Sequence, residues 1–198
     1  MDVLIPTCRP AEEVSEMVRE IEATMTIADR VIASCQPGSA SFNRNWCLDR
    51  CESHRAIMLD DDIRGFYPGW DADLVKSLAG ASVAAVSARL MRPNGKIAQT
   101  CSRSYELTPD EIEVEPYDCC VMPTAAIAFR NVGIRFDEGF RGSGFEDGDW
   151  FFSYRKQFPD CRFIQSNRCR LIHLNEMKCQ REHWRHNKAH FEAKWKIK

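Results

Sequence analysis

Three consecutive carboxylates, Asp60-Asp61-Asp62, follow the apolar run Ala56-Ile57-Met58-Leu59. Held side by side at a strand end, they repel one another unless a cation neutralises them. Hard divalent ions such as Mg2+ or Mn2+ take carboxylate and phosphate oxygens together, so this cluster suits a site that ties a diphosphate to the protein. A second acidic group stands in Gly142-Ser143-Gly144-Phe145-Glu146-Asp147-Gly148-Asp149. Its glycines allow close backbone approach, and its acids suit the first turn of a helix, where the peptide dipoles favour negative charge. Capping accounts for such acids as readily as chemistry does. The chemical reading makes Asp147 the base that takes a proton from an attacking hydroxyl, with Glu146 beside it. His173, between Ile172 and Leu174, is an ordinary core residue unless it faces Asp62, where its imidazole would complete a metal shell.

Strands and helices in alternation must bring these groups together. Val3-Leu4-Ile5 stops at Pro6 and reads as a buried strand, and Pro10 opens a helix along which Val14, Met17, Val18, Ile21 and Met25 recur at helical spacing. Val31-Ile32-Ala33 and Ala56 to Leu59 read as the next strands, with a helix capped at Ser41 between them. That order predicts an α/β single domain with a mostly parallel central sheet flanked by helices. Ligands of such sheets lie beyond the carboxyl ends of the strands, where Thr7, Ser34 to Gly38 and Asp60 to Asp62 all fall. Further on, the patterns predict a helix over 70 to 80, a strand over 83 to 90 and a tight turn at Pro93-Asn94-Gly95 leading to Lys96-Ile97-Ala98. They also predict a surface connection over 106 to 118, a strand over 119 to 129, a helix over 145 to 157 and two short strands over 162 to 174. The catalytic unit is expected over residues 1 to 175, with 176 to 198 a basic helix or tail of the same unit.

The 198 residues, 44% hydrophobic and 28% charged, have ordinary globular composition, which argues against disorder, fibrous repeats and a membrane protein. No run nears the roughly 20 apolar residues of a membrane span, and no export signal opens the chain, so a cytosolic protein is expected. The ten cysteines include no CxxC pair and read mostly as reduced, small apolar residues. The net charge of −2 is unevenly spread. From Arg162 onward there are ten Lys/Arg against Glu176, Glu182 and Glu192, a net of +7, which leaves 17 basic and 26 acidic side chains, or −9, on residues 1 to 161. Lys178, Arg181, Arg185 and Lys188 alternate there with His183, Trp184, His186 and His190. Cations reach phosphates and aromatic rings stack on bases, so this segment suits a nucleic-acid partner; a helix folded back on the acidic body suits it equally.

In order along the chain, Ile5-Pro6-Thr7, Ser41-Phe42-Asn43-Arg44-Asn45, Leu59-Asp60-Asp61-Asp62, and Glu146-Asp147 followed by His173 resemble the GT-A glycosyltransferases. The likeness is to the family-2-like enzymes and, in the Gly-x-Gly-x-Glu-Asp-x-Asp segment, to the β-1,4-galactosyltransferase group. The resemblance implies a metal-dependent, inverting transfer from a nucleoside-diphosphate sugar, a UDP-sugar above all, with Mn2+ or Mg2+ as cofactor. It implies that Thr7, Arg9, Arg44, Asn45, Asp60 and Asp61 hold the donor, that Asp62 and His173 hold the metal, and that Asp147 is the base beside Glu146. In one place the chain departs from that pattern: its second strand ends in Ser34-Cys35-Gln36 instead of an acid that reads the base. Small phage-encoded enzymes of this kind glycosylate hydroxymethylated bases in DNA, and the basic end makes such DNA the expected acceptor, met by Lys178, Arg181, Trp184, Arg185 and Lys188. A cell-surface saccharide or small-molecule acceptor is the alternative. A sugar-phosphate nucleotidyltransferase fits less well, because Thr7-Cys8-Arg9-Pro10 lacks the glycines of a phosphate-cradling loop, and a non-enzymatic nucleic-acid-binding module leaves the acidic triplet without a role.

Overall fold

The computed structural model describes residues 1–99, 109–114, 124–174 and 181–196. Strand β1 (Asp2–Ile5), helix α1 (Ala11–Thr24), strand β2 (Arg30–Ala33), helix α2 (Ala40–Arg50) and strand β3 (Arg55–Leu59) form the first half. After them come β4 (Ile63–Arg64), α3 (Trp70–Val75) with a 3-10 turn over Lys76–Ala79, β5 (Val83–Met91), β6 (Ile97–Gln99) and β7 (Glu111–Val114). The chain continues through β8 (Ala126–Arg130), α4 (Glu146–Gln157), β9 (Arg162–His173) and α5 (Arg181–Trp195). Among the described residues no helix is long and apolar enough to cross a membrane.

The strands lie in the order β2-β1-β3-β8-β5-β9-β4, with β6 on β5 and β7 on β9. Strands β2, β1, β3, β5 and β9 point one way; β8 and β4 run against them. Val3 and Ile5 enter one core with Met17, Ile21, Trp70 and Leu74, while Leu4 and Met58 enter a second with Leu48, Trp150, Phe151 and Phe163. Helices α1 and α3 thus cover one face and α2 and α4 the other. Burial on both faces is why these strands read as unbroken apolar runs.

Four elements differ from the sequence expectation. Ser39, not Ser41, caps α2, its hydroxyl accepting from the Phe42 N–H at 3.2 Å. Ser41 is buried instead. Residues Glu111–Val114, expected in a surface connection, form an edge strand paired antiparallel with β9; Glu113 meets Arg162 and Glu111 meets Arg168, which covers the edge with charge. The region expected as two short strands is one strand of 12 residues, because Gln165, Ser166 and Asn167 in its middle are buried in the sheet rather than in a loop. In the expected 119 to 129 strand, Ala126–Arg130 is a strand and residues 119–123 lie outside the described part.

Candidate functional site

The carboxyl ends of β1 and β3 lie side by side because the two strands pair in parallel, Leu4 opposite Met58. Thr7 follows β1 and is fixed there: its N–H donates to the Ser34 hydroxyl at 2.8 Å, and its own hydroxyl donates to Asp61. Arg9 Nε stands 3.3 Å from the same carboxylate. Thr7, Ser34, Arg9 and Asp61 therefore form one contiguous wall.

His173 reaches the triplet through the far edge of the sheet. Strand β4 turns back immediately after Asp62 and pairs antiparallel with the end of β9, Ile63 opposite His173, while the Leu174 N–H donates to the Asp62 carbonyl at 3.1 Å. This register sets His173 Nε2 3.1 Å from Asp62 Oδ1. Burial works against a charged imidazole, but the hydrogen bond to Asp62 and its charge, with Asp60 behind it, raise the His173 pKa above its ordinary value. One ligand atom each from Asp60, Asp62 and His173 lie within 4.8 Å of one another, a spacing at which a single cation touches all three. Buried atoms without a hydrogen-bond partner here include His173 Nδ1, Arg44 Nε and Glu146 Oε2.

Arg44 joins the two acidic motifs. From the buried face of α2 its guanidinium lies 3.4 Å from Asp60 Oδ1, 2.8 Å from Glu146 Oε1 and 3.1 Å from Asp147 Oδ1. Burial would lower its pKa, but Asp147, Glu146 and Asp60 outweigh that and raise it, so the cation is permanent. Asp60 is pushed up to about 6, first by burial and then by the charges of Asp147 and Asp62, with Arg44 opposing. Glu146 is raised as well, by burial and then by Asp147. Five carboxylates (Asp60, Asp61, Asp62, Glu146, Asp147) thus meet two guanidinium groups (Arg9, Arg44) and the His173 imidazole, and the remaining excess of acids is what a cation would relieve.

Asp147 is the most accessible acid of the second motif, its side chain 28% exposed where that of Glu146 is 4% and Asp149 is buried. Thr124, which the sequence did not single out, orients it: the Thr124 hydroxyl donates to Oδ1 and the Thr124 N–H to Oδ2. Strand pairing puts Thr124 there, since Leu59 lies opposite Ala126 and the Asp60 N–H donates to the Ala125 carbonyl. Asn45, by contrast, is turned to another neighbourhood. Its amide exchanges two hydrogen bonds of 2.9 Å with the Phe136 backbone and donates to Glu138, so of the Arg44-Asn45 pair only Arg44 reaches the acidic cluster.

The basic end folds back on the acidic body as α5. Lys194 Nζ donates to Asp137 at 2.7 Å and to Asp149 at 2.9 Å, Trp195 Nε1 donates to Asp149 at 2.9 Å, and His190 Nε2 lies 3.2 Å from Asp137. Trp184, Arg185 and Lys188 remain exposed, with Lys188 Nζ 5.8 Å from the Trp184 ring and 3.5 Å from Glu192. Lys178 and the side chain of Arg181 lie outside the described residues.

Burial alone would raise the Asp137 pKa, but bonds from Lys194, the Gly139 N–H and His190 lower it to about 2 from its ordinary 3.8. Because the folded value is the lower one, this stabilisation is present above about pH 3.8 and is lost as pH falls toward 2. Cleavage of α5 by pepsin is expected to rise across that window in the wild type and to change less in Asp137→Asn. A wild-type helix that stays resistant to pH 2 would show that Asp137 contributes little to docking.

No family model matches the sequence, and no curated protein sequence does. Solved structures do match in three dimensions. A TarS 1-349 fragment from S. aureus, in complex with UDP-GlcNAc, aligns with a TM-score of 0.68 at 13% identity over 97% of this chain and 65% of the fragment. Glucosyl-3-phosphoglycerate synthase from Mycobacterium tuberculosis, with Mn2+, UDP-glucose and phosphoglyceric acid, aligns with a TM-score of 0.59 at 13% identity over all of this chain and 80% of that one. GalNAc-T7 with UDP, GalNAc and Mn2+ aligns with a TM-score of 0.60 at 11% identity, covering 87% of this chain and 43% of that one. The chain therefore spans about two thirds or less of the TarS fragment and of GalNAc-T7. It has the fold of the GT-A glycosyltransferases.

Proposed function

We propose that the chain transfers a sugar from a UDP-sugar to an acceptor hydroxyl with inversion at the anomeric carbon. The observation that carries this reading is Arg44, which ties Asp60 of the first acidic motif to Glu146 and Asp147 of the second and so makes one site of both. The UDP-sugar complexes of TarS and of the glucosyl-3-phosphoglycerate synthase support the donor class. The donor set of two carboxylates and an imidazole, next to an orphaned buried nitrogen on His173, fits Mn2+ or Mg2+. Asp60, Asp62 and His173 would hold that ion, which supplies Lewis-acid stabilisation of negative charge on the departing diphosphate. Thr7, Arg9 and Asp61 border the donor side, where the Arg9 guanidinium offers charge to a phosphate.

Asp147 takes the acceptor proton. Thr124 and Arg44 fix the orientation of its carboxylate, and the likeness of its Gly-x-Gly-x-Glu-Asp segment to the β-1,4-galactosyltransferases supports that role. Glu146 stays buried against Arg44 and holds it in place. With the base on one side of the sugar and the diphosphate on the other, a single displacement inverts the anomeric centre. Positioning the two partners in line can replace up to about 7–11 kcal/mol of entropic cost.

For the acceptor, the reading is a hydroxymethylated base in DNA, as in the phage-type enzymes. Supporting it, Trp184, Arg185 and Lys188 stand exposed on α5, and the Trp184 ring lies 5.6 Å from that of Phe145, two residues before Asp147. Lys194 and His190 pair with the acidic body, whereas these three side chains stand clear of it.

Calorimetric titration with UDP and Mn2+ tests the donor half. Binding should require the metal, and His173→Ala should weaken it by about tenfold or more. Unchanged Mn2+ dependence in that variant returns His173 to the core. Labelled transfer to hydroxymethylcytosine or hydroxymethyluracil DNA, falling steeply with salt, tests the acceptor. Transfer only to an oligosaccharide reassigns the acceptor, and absence of both UDP binding and transfer removes the enzymatic reading.

A further inference from the structure

Just before Glu146 the backbone takes a course that few sequences hold unaided. Gly142, Gly144 and Phe145 all have positive φ, and Phe145, at 71°, is a bulky residue in the left-handed region with no side-chain cap to help it. Helix α5 supplies what this segment lacks. Asn187, fully buried, accepts the Arg141 N–H at 2.8 Å and donates to the carbonyls of Arg141, Ser143 and Gly144 at 2.8, 3.3 and 2.9 Å. The Phe145 ring rests against Trp184 and Phe191 of the same helix. The fit is close enough that a Cβ on Gly142 would come within 2.5 Å of His183 Nδ1. From the other side, the Ala40 N–H at the start of α2 donates to the Gly142 carbonyl at 2.8 Å. The segment is thus held between the helix that carries Arg44 and the helix that carries Asn187.

We propose that Asn187 is a positioning residue of the transfer site, acting through residues 141–145 to set the Glu146-Asp147 turn against Arg44 and Thr124. This rests on the glycosyltransferase reading above. Asn187 touches neither donor nor acceptor. Its short amide accepts the N–H and offers two donors to the carbonyls of a left-handed turn, where a hydroxyl has a single donor and an aliphatic side chain has none. In this arrangement α5 is a working part of the site, coupled to Asp147 by geometry and not by charge.

The test compares the wild type, Asn187→Ala, the milder Asn187→Ser, and Ala189→Gly, which weakens the same helix at an exposed position without touching the clamp. In either Asn187 variant, amide hydrogen exchange should accelerate over 141–146 while the strands keep their protection. With kcat divided by the number of UDP-binding sites counted calorimetrically, transfer should fall by about tenfold or more at a donor KM within about threefold, since misplacement by an ångström costs on that scale or beyond. Ala189→Gly should leave both readouts near wild type. Normal exchange at 141–146 in both Asn187 variants overturns the clamp, whatever the enzyme does. Faster exchange with unchanged kcat per binding site overturns the positioning role. A wild type that turns over no nucleotide sugar defeats the functional reading, and the exchange experiment still decides whether Asn187 holds the turn.

Discussion

Replacing Asp147 by Asn is expected to lower kcat for sugar transfer by about 100-fold or more while UDP binding stays within a few-fold. The amide cannot accept the acceptor proton, yet it keeps the size of the carboxylate and one oxygen, enough to retain one of the two Thr124 contacts. Arg44 loses one of three anionic neighbours but retains Glu146 at 2.8 Å and Asp60 at 3.4 Å, so the site stays assembled. Asp60, Asp62 and His173 are untouched, and they are the groups assigned to the metal. Rates measured at saturating donor, alongside titration with UDP and Mn2+, separate the two effects. A variant with wild-type kcat would remove Asp147 from the mechanism.

The second large effect falls on stability. Arg44→Ala leaves Glu146 buried opposite nothing, and breaking a buried pair from one side costs about 3–5 kcal/mol. A urea midpoint lowered by that loss divided by the slope, with the slope itself unchanged, is the expected result. Glu146 already has its pKa raised above the ordinary 4.5 by burial and by Asp147, and without Arg44 it rises further. A carboxyl whose folded pKa exceeds its unfolded one favours the folded state at low pH and loses that contribution as pH rises through the folded value. The defect of Arg44→Ala should therefore be smallest near pH 4 to 5 and grow toward neutrality. Arg44→Met combined with Glu146→Gln, which removes both charges together, should recover much of the loss. A single Arg44→Ala variant as stable as wild type would show that the three-carboxylate contact carries little of the fold.

Much of this was legible because its signals are local. The runs Val3 to Ile5, Val31 to Ala33 and Ala56 to Leu59 are short and bounded, and they are the parallel strands β1, β2 and β3. The acidic triplet also announces itself, since three adjacent carboxylates are costly at any strand end. What escaped is set by partners distant in sequence. Glu111-Ile112-Glu113-Val114 alternates as an edge strand should, but its acids suggested a connection; their neutralising arginines lie on β9. The single strand β9 was expected as two short ones; its continuity depends on burying Gln165, Ser166 and Asn167, and three buried polar side chains in one strand are uncommon. Arg44 was expected at the donor, whereas its role as a bridge depends on Glu146, which no local pattern pairs with it. Thr124 and Asn187 carry no sequence signal of their own. Each matters only for the backbone or carboxylate that folding sets opposite it.

The Arg44–Glu146 contact joins positions 102 residues apart. Closing a loop of that length from an open chain costs about 4 kcal/mol beyond a constant term. Pairing of β1 with β3, and of β3 with β8, by itself brings the two segments close, so on an assembled sheet the two charges meet at little further entropic cost. Interactions formed after the folding barrier govern how quickly the native state opens, so an ion pair that closes on a finished sheet is expected to show itself in Arg44→Ala as faster unfolding with little change in the folding rate, measured by stopped-flow dilution.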